Sequence, residues 1–293
     1  MRYHITHATT YQYSVDVGRC YNLAHMVPRD TARQSCLRNH IGVEPMPAHS
    51  HKHEDYFGNS AFYFGIQKNH NRLCITVESE VEMQEAKGGA ELDFGLTCGE
   101  VLQQMMNSSD AETLLAREYV LDSPMIRSAS GLKEYARALF APERPFLAAV
   151  RELNENIFTE FTYDPGFTTV ATPLAEVLEH KRGVCQDFAH FAIGCLRSLG
   201  FSARYVSGYL ETLPPPGQEK LIGADATHAW FAVYSPDGGW YEFDPTNNKM
   251  ACEQHIVTAW GRDYSDVTPL RGVIFGGGKK HDLAVAVTVR RME

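Results

Sequence analysis

Over residues 1–83, short apolar or aromatic runs alternate with turn signals such as Asp55-Tyr56-Phe57-Gly58-Asn59, the pattern of an antiparallel β-sandwich of short strands. The stretch 85–95 contains Gly88-Gly89 and little periodicity, and reads as a linker. Helical spacing then dominates 99–157, through Leu114, Leu115 and Tyr119 and later Phe146, Ala149, Val150 and Leu153. Residues 171–179 predict a short helix with Thr172 as N-cap and Pro173 at its first position. From Cys185 onward Phe188, Ala189, Phe191, Ala192, Ile193, Cys195, Leu196 and Leu199 recur at three- and four-residue spacing, a mostly buried helix that Gly200 stops. A strand over 203–210 follows, then a stiff loop, Leu213-Pro214-Pro215-Pro216-Gly217, placed to rim a cleft. Two aromatic and β-branched strands, 227–234 and 240–244, flank Ser235-Pro236-Asp237-Gly238-Gly239, a hairpin turn. The alternation over 283–289 predicts a last strand returning to the sheet. The fold class is α+β, with an N-terminal antiparallel β-sandwich over 1–90 and a second domain over 91–293, helical from 91 to 157 and forming its core from 158 to 293.

The second domain carries a chemical set in a fixed order. Gly183-Val184-Cys185-Gln186-Asp187-Phe188-Ala189-His190 is followed by Thr227-His228-Ala229-Trp230 and then by Phe243-Asp244-Pro245-Thr246. Cys185, His228 and Asp244 are the parts of a thiol nucleophile, its base and the group that orients the base. An ordinary thiol, with a pKa of about 8.5, is mostly protonated at neutral pH and needs a positive neighbour or a helix N-terminus to become a thiolate. The helix that begins near Cys185 supplies the second of these, because its unpaired N–H groups and positive dipole end favour an anion. Centring the hairpin on Asp237 sets Tyr234 opposite Trp240 and Trp230 opposite Asp244, so His228 and Asp244 become diagonal neighbours on one face. Diagonal Cα atoms lie roughly 7–8 Å apart, within reach of an imidazole–carboxylate bond. A one-residue slip would put Asp244 on the other face. Pro245 ends the ladder just after it.

Together with the run Ser198-Leu199-Gly200-Phe201-Ser202-Ala203-Arg204-Tyr205-Val206-Ser207-Gly208-Tyr209, these motifs resemble the bacterial transglutaminase-like superfamily over roughly 161–248. Tyr11-Gln12-Tyr13-Ser14, Val27-Pro28-Arg29, Asp55-Tyr56-Phe57-Gly58-Asn59 and Glu78-Ser79-Glu80-Val81 are similar to the β-rich domain that often precedes it. The resemblance implies a papain-like core, a nucleophile helix packed on an antiparallel sheet, with Cys185 as nucleophile, His228 as general base and acid, and Asp244 as its orienter. One oxyanion donor is the Cys185 backbone N–H. Animal transglutaminases draw another from a tryptophan upstream of the cysteine, whereas this chain has no Trp before Trp230. Tyr163, Gln186 or a backbone N–H must then serve, with the segment Phe161-Thr162-Tyr163-Asp164 preferred. Trp230 and Trp240 share the face of His228 and are expected to wall the cleft.

Composition narrows the partners. With 27 Lys+Arg against 36 Asp+Glu the net charge is −9, and no basic stripe forms, so nucleic acid and an anionic membrane are not expected. The N-terminus lacks an apolar signal region and no run approaches the roughly 18 apolar residues of a membrane span, which predicts a cytoplasmic protein. Seven cysteines without a close C-x-x-C pair suit reduced thiols. Cys195 is no resolving partner for Cys185, since ten helical residues rise about 15 Å. His190 lies about 140° around the helix from Cys185 and reads as a satisfied core histidine. Asp187 reads as a helix-dipole carboxylate or as a brace for the nucleophile loop. His49, His51 and His53 have alternating spacing suited to a metal, but no Cys/His framework surrounds them, and a solvated loop is the favoured reading.

The chemistry implied is attack of the Cys185 thiolate on an amide carbonyl of a peptide or protein, giving a thioester, with no metal or organic cofactor. Water as second nucleophile makes a cysteine protease or amidase, the first expectation, since excluding water in favour of an amine requires a dedicated acceptor tunnel. Acyl transfer to amines, as in a transglutaminase, and a non-enzymatic peptide-binding module are the alternatives.

Overall fold

A computed structural model describes residues 1–84, 92–170, 172–212 and 227–292. Strand β1 (Arg2–Ala24) opens the chain, with Tyr3, Ile5, His7 and Thr9 buried and their neighbours more open, the two-residue period of a half-buried strand. It is followed by β2 (Gln34–Glu44), β3 (His49–Glu54), β4 (Ser60–Ile66) and β5 (His70–Met83), in sheet order β2-β5-β1-β4-β3. The strands are not all short: β1 runs 23 residues and changes partner midway, from β5 along Arg2 to Gln12 to β4 along Cys20 to Ala24. The register shifts between Gln12 and Val17, an irregularity of the kind that lets one long strand bend and serve two halves of a sheet.

Helices α1 (Cys98–Asn107), α2 (Ala111–Ala116), α3 (Ser130–Arg137) and α4 (Phe146–Glu160) come next. Leu114 and Leu115 do not join the core as their spacing suggests. The six-residue α2 turns at once into a 3-10 segment, Arg117–Val120, and buries Thr113, Ala116 and Tyr119 instead. The short strands β6 (Thr162–Tyr163) and β7 (Arg182–Gly183) pair in parallel on either side of α5 (Leu174–His180). That helix starts later than predicted, with Pro173 at its N-cap, because the Thr172 hydroxyl accepts from the Thr169 N–H at 2.9 Å instead of capping.

Helix α6 (Cys185–Ser198) is buried along nearly its whole length, from Asp187 to Arg197. It lies on a second antiparallel sheet of β8 (Ala203–Leu210), β9 (Thr227–Ser235), β10 (Gly239–Asp244), β11 (Lys249–Met250) and β12 (His255–Gly261), ordered β11-β10-β9-β8-β12. Phe188 and Phe191 of the helix share a core with Phe231 and Phe243 of the sheet and with Phe146 and Leu153 of α4. The β9–β10 hairpin sets Tyr234 opposite Trp240 and Phe231 opposite Phe243, the register that the turn composition implies. After α7 (Tyr264–Val267), strands β13 (Leu270–Gly276) and β14 (His281–Met292) pair with β1 and not with the second sheet. Residues 270–292 therefore complete the N-terminal sheet, and the division into 1–90 and 91–293 does not follow the sheets. The physical reason is that β1 has a second edge of backbone donors and acceptors, which the alternating C-terminal segment satisfies.

The two sheets are joined by side-chain amides that imitate a strand. Gln34 accepts from the Val257 N–H and donates to the Val257 carbonyl, both at 2.8 Å, and Asn59 does the same for Trp260 at 2.9 and 2.8 Å. Both amides are buried, so each closes part of the open edge of β12 away from water. Residues 85–91 of the predicted linker and the proline loop 213–217 lie outside the described residues. Among the described residues no helix is long and apolar enough to cross a membrane.

Candidate active site

Cys185 is the first residue of α6, half-buried at the end where the helix leaves its N–H groups unpaired. Two contacts fix that start. The Asp187 carboxylate accepts from the Val184 N–H at 2.8 Å and from the Thr168 hydroxyl at 2.6 Å, so it braces the nucleophile loop against the segment before α5. Gly183 is needed because a Cβ there would stand 2.8 Å from the Asp187 Cβ, closer than real side chains approach. His190, five residues along, is buried and takes the Tyr264 N–H on Nε2 at 3.1 Å, as a core histidine should.

His228 and Asp244 meet at the end of the hairpin. His228 Nε2 lies 2.8 Å from Asp244 Oδ2, the imidazole is only 9% exposed and the carboxylate fully buried. The Cys185 sulfur is near enough to His228 to act on its proton affinity. With Nε2 committed to the carboxylate, Nδ1 is the nitrogen left to face sulfur. Burial pushes His228 toward its neutral form, but the hydrogen bonds and charges of Asp244 and Cys185 outweigh it and raise the pKa to about 9. Burial likewise opposes charge on Asp244, yet the bonds from His228 and His255 hold it well below the usual carboxylate range. Its Oδ1 accepts the N–H groups of Thr246 and Asn247, and its Oδ2 also takes the Asn247 side-chain amide at 2.7 Å. Five donors thus keep the carboxylate ionised and immobile.

The remaining candidates divide. Tyr163 is half-exposed on β6, where its backbone pairs with Gly183; burial raises its hydroxyl pKa, and the charges of Cys185 and Asp187 add to this. The Gln186 side chain donates to the Val170 carbonyl at 3.3 Å, which ties it to the segment before α5, while its backbone N–H lies in the open first turn of α6. Trp230 does not wall a cleft. It is fully buried behind the site, donates to Glu242 at 2.8 Å and packs edge-on to His255 with ring centres 5.2 Å apart. Trp240 is drawn away to Tyr119, Tyr234 and the Arg204 guanidinium. The face shared by these tryptophans is covered by the segment between β1 and β2, where Arg33 donates to the Ala251 carbonyl and Arg29 stacks 3.2 Å over the Trp260 ring. That cover is not readable from the strands themselves.

Asn247 and His255 are the partners that sequence reasoning missed. Asn247 follows Asp244 by three positions in a turn, a spacing at which a side chain returns to the carboxylate; His255 comes from a different strand and has no local signal. Gly208 pairs with His228 across β8 and β9, and a Cβ there would stand 2.1 Å from the Ile256 carbonyl oxygen and 2.6 Å from the Trp230 ring. Gly208→Ala is expected to force β8 and β12 apart, at about 1–3 kcal/mol, and to lower activity further than the lost stability explains by displacing Trp230 from behind His228. Denaturant melts and near-ultraviolet circular dichroism would read both effects.

His49, His51 and His53 lie on β3, an edge strand and not a loop, all three exposed, with the rings of His51 and His53 stacked 5.7 Å apart. Among the described residues, only His228, Asp244 and His255 bring three metal-type ligand atoms within 4.8 Å of one another, and their mutual hydrogen bonds already account for that closeness.

Residues 3–82 match the model of the bacterial transglutaminase-like N-terminal region, and residues 133–245, which contain Cys185, His228 and Asp244, match that of the transglutaminase-like superfamily. An uncharacterized protein of Mycobacterium tuberculosis strain H37Rv is 40% identical, over 98% of this chain and 92% of its own length. The chain belongs to the transglutaminase-like superfamily. In fold it is similar to a solved structure described as "a Putative Cysteine Protease from Cytophaga hutchinsonii", with a TM-score of 0.76 and 21% identity over 100% of this chain and 92% of that one. A protein-glutamine gamma-glutamyltransferase of Pseudomonas aeruginosa is 29% identical over 119 residues, 38% of this chain and 18% of that enzyme.

Proposed function

We propose that this transglutaminase-like protein is an acyl-transfer enzyme whose nucleophile is Cys185, and that it cleaves amide bonds of peptides or proteins. The observation that carries the reading is the 2.8 Å His228–Asp244 pair with Cys185, at the open start of α6, near enough to raise the proton affinity of His228. The raised affinity of His228 for a proton supports a positive imidazolium beside the sulfur, the neighbour that an attacking thiolate requires. The thiolate adds to the carbonyl carbon and the oxyanion meets the first-turn N–H groups of α6, with Tyr163 as a further candidate donor. Collapse breaks the C–N bond while His228 passes its proton to the leaving amine, leaving a thioester and a neutral imidazole. Water then gives His228 a proton as it attacks the thioester, and the acid product and the thiolate are released.

A second reading differs only in the last step, where a primary amine replaces water. The gamma-glutamyltransferase relative favours it, although that likeness covers 38% of the chain. Incubating the protein with a peptide library, with and without an added primary amine, and reading masses separates the two. Net hydrolysis with no amine adduct is expected. Coupling with loss of about 17 mass units, the ammonia released by acyl transfer from glutamine, would favour the second reading. No change of any peptide would count for a binding module.

A further inference from the structure

His255 is a buried histidine at the start of β12, opposite Leu210 of β8, and no step described above uses it. Its Nδ1 receives the backbone N–H of Cys252 at 3.2 Å, and its Nε2 lies 3.1 Å from Oδ2 of Asp244, the same oxygen that holds His228. An amide N–H can only donate, so Nδ1 presents its lone pair and the ring proton resides on Nε2. We propose that His255 is a positioning residue: a neutral donor of fixed tautomer that pins Oδ2 of Asp244 so that the carboxylate keeps its full charge and one orientation toward His228.

The kind of donor that meets the buried carboxylate matters. A second cation against Oδ2 would divide the field of Asp244 between two rings and weaken its hold on His228. A neutral N–H anchors the same oxygen without taking up its charge. The groups facing His255 fit this role. Asp244 approaches from β10, while His228 and Trp230 approach from β9 with ring centres 6.2 and 5.2 Å away, and the Cys252 sulfur lies 3.6 Å from Nδ1. The edge-on Trp230 ring fixes the plane of the imidazole, and the Cys252 amide fixes which nitrogen carries the proton. The proposal rests on the acyl-transfer reading of Cys185, His228 and Asp244.

The test compares His255→Gln with His255→Asn in the full chain. The Gln amide N–H₂ reaches the place of Nε2, whereas the shorter Asn amide does not, and both lose the ring. The readout is the rate of Cys185 alkylation by iodoacetamide at pH 6, followed by mass spectrometry of the peptide that contains Cys185. His255→Asn is expected to slow it about tenfold or more, and His255→Gln to stay near the wild-type rate. Equal rates in the two variants, whether both unchanged or both reduced, would overturn the proposal, because packing alone affects them alike. Nitrogen NMR of the wild-type protein provides a second measurement that does not depend on either variant folding. One protonated and one bare nitrogen on His255 at pH 7 is expected, and a doubly protonated ring overturns the proposal. If wild-type Cys185 itself reacts as an ordinary thiol, and His228→Ala leaves its rate unchanged, the acyl-transfer reading fails separately.

Discussion

Cys185→Ala is expected to lower turnover of any amide substrate by about 10⁴-fold or more while leaving the fold intact, because it removes the sulfur that the proposed function makes the nucleophile. The side chain is small and half-buried at a helix start, so little packing is lost with it. The same substitution takes away one of the two groups that hold a proton on His228, and the pKa of about 9 should fall toward the ordinary histidine value. Wild-type protein treated with a limiting thiol reagent below neutral pH should be modified first at Cys185. Cys20, Cys98 and Cys195 are buried, and burial pushes their thiols up. Cys252 is the competitor to watch, since it is half-buried and not closed off like these three. Residual turnover in Cys185→Ala above a few per cent of wild type would move the nucleophile elsewhere.

Asp244→Ala should have the second-largest effect, on both rate and stability. It orphans the donors of His228, His255 and Asn247 together in a buried place, a loss of about 3–5 kcal/mol for a broken buried pair. Turnover should drop by roughly 10³–10⁴, as when the orienting carboxylate of a triad is removed. The pH dependence gives the sharper check. Asp244 has a folded pKa well below its unfolded value, so its contribution is present above about pH 4 and is lost as pH falls further. His228 has a folded pKa raised from 6.5 to about 9, so its contribution is complete below pH 6.5 and is lost as pH rises through 9. Wild-type stability relative to Asp244→Ala should therefore be greatest between about pH 4 and 6.5 and decline toward pH 10 by the Asp244 share of at most about 3 kcal/mol, since Cys185 still acts on His228 in the variant. Denaturant melts of the two proteins from pH 4 to 10 would measure it. A stability difference that stays flat from pH 6 to 10 would mean that His228 carries no extra proton.

Much of the geometry around Cys185 is local and was legible for that reason. The start of α6 follows from an apolar spacing that begins after Cys185, and the β9–β10 register follows from a five-residue turn and a side-chain period of two. These signals span a few residues each and need no knowledge of what lies beyond them. They are enough to bring His228 and Asp244 onto one face, and the 2.8 Å contact is the consequence. Asp187 was legible only as a choice between two roles, because its brace to Thr168 depends on a loop 19 residues upstream.

What surrounds that geometry belongs to the tertiary structure alone. His255 reaches Asp244 because β12 lies beyond β8 in the sheet, an order that no periodicity encodes. Trp230 and Trp240 alternate as strand residues facing a cleft would, yet the chain near Arg29 and Arg33, some 200 positions earlier, covers their face and turns it into a core. The last two strands alternate as any half-buried strand does, and only the open edge of β1 selects the N-terminal sheet for them. Periodicity states that one face of a strand is buried; the identity of what buries it is settled by segments distant in the chain, through burial and backbone pairing that act only once the whole chain has come together.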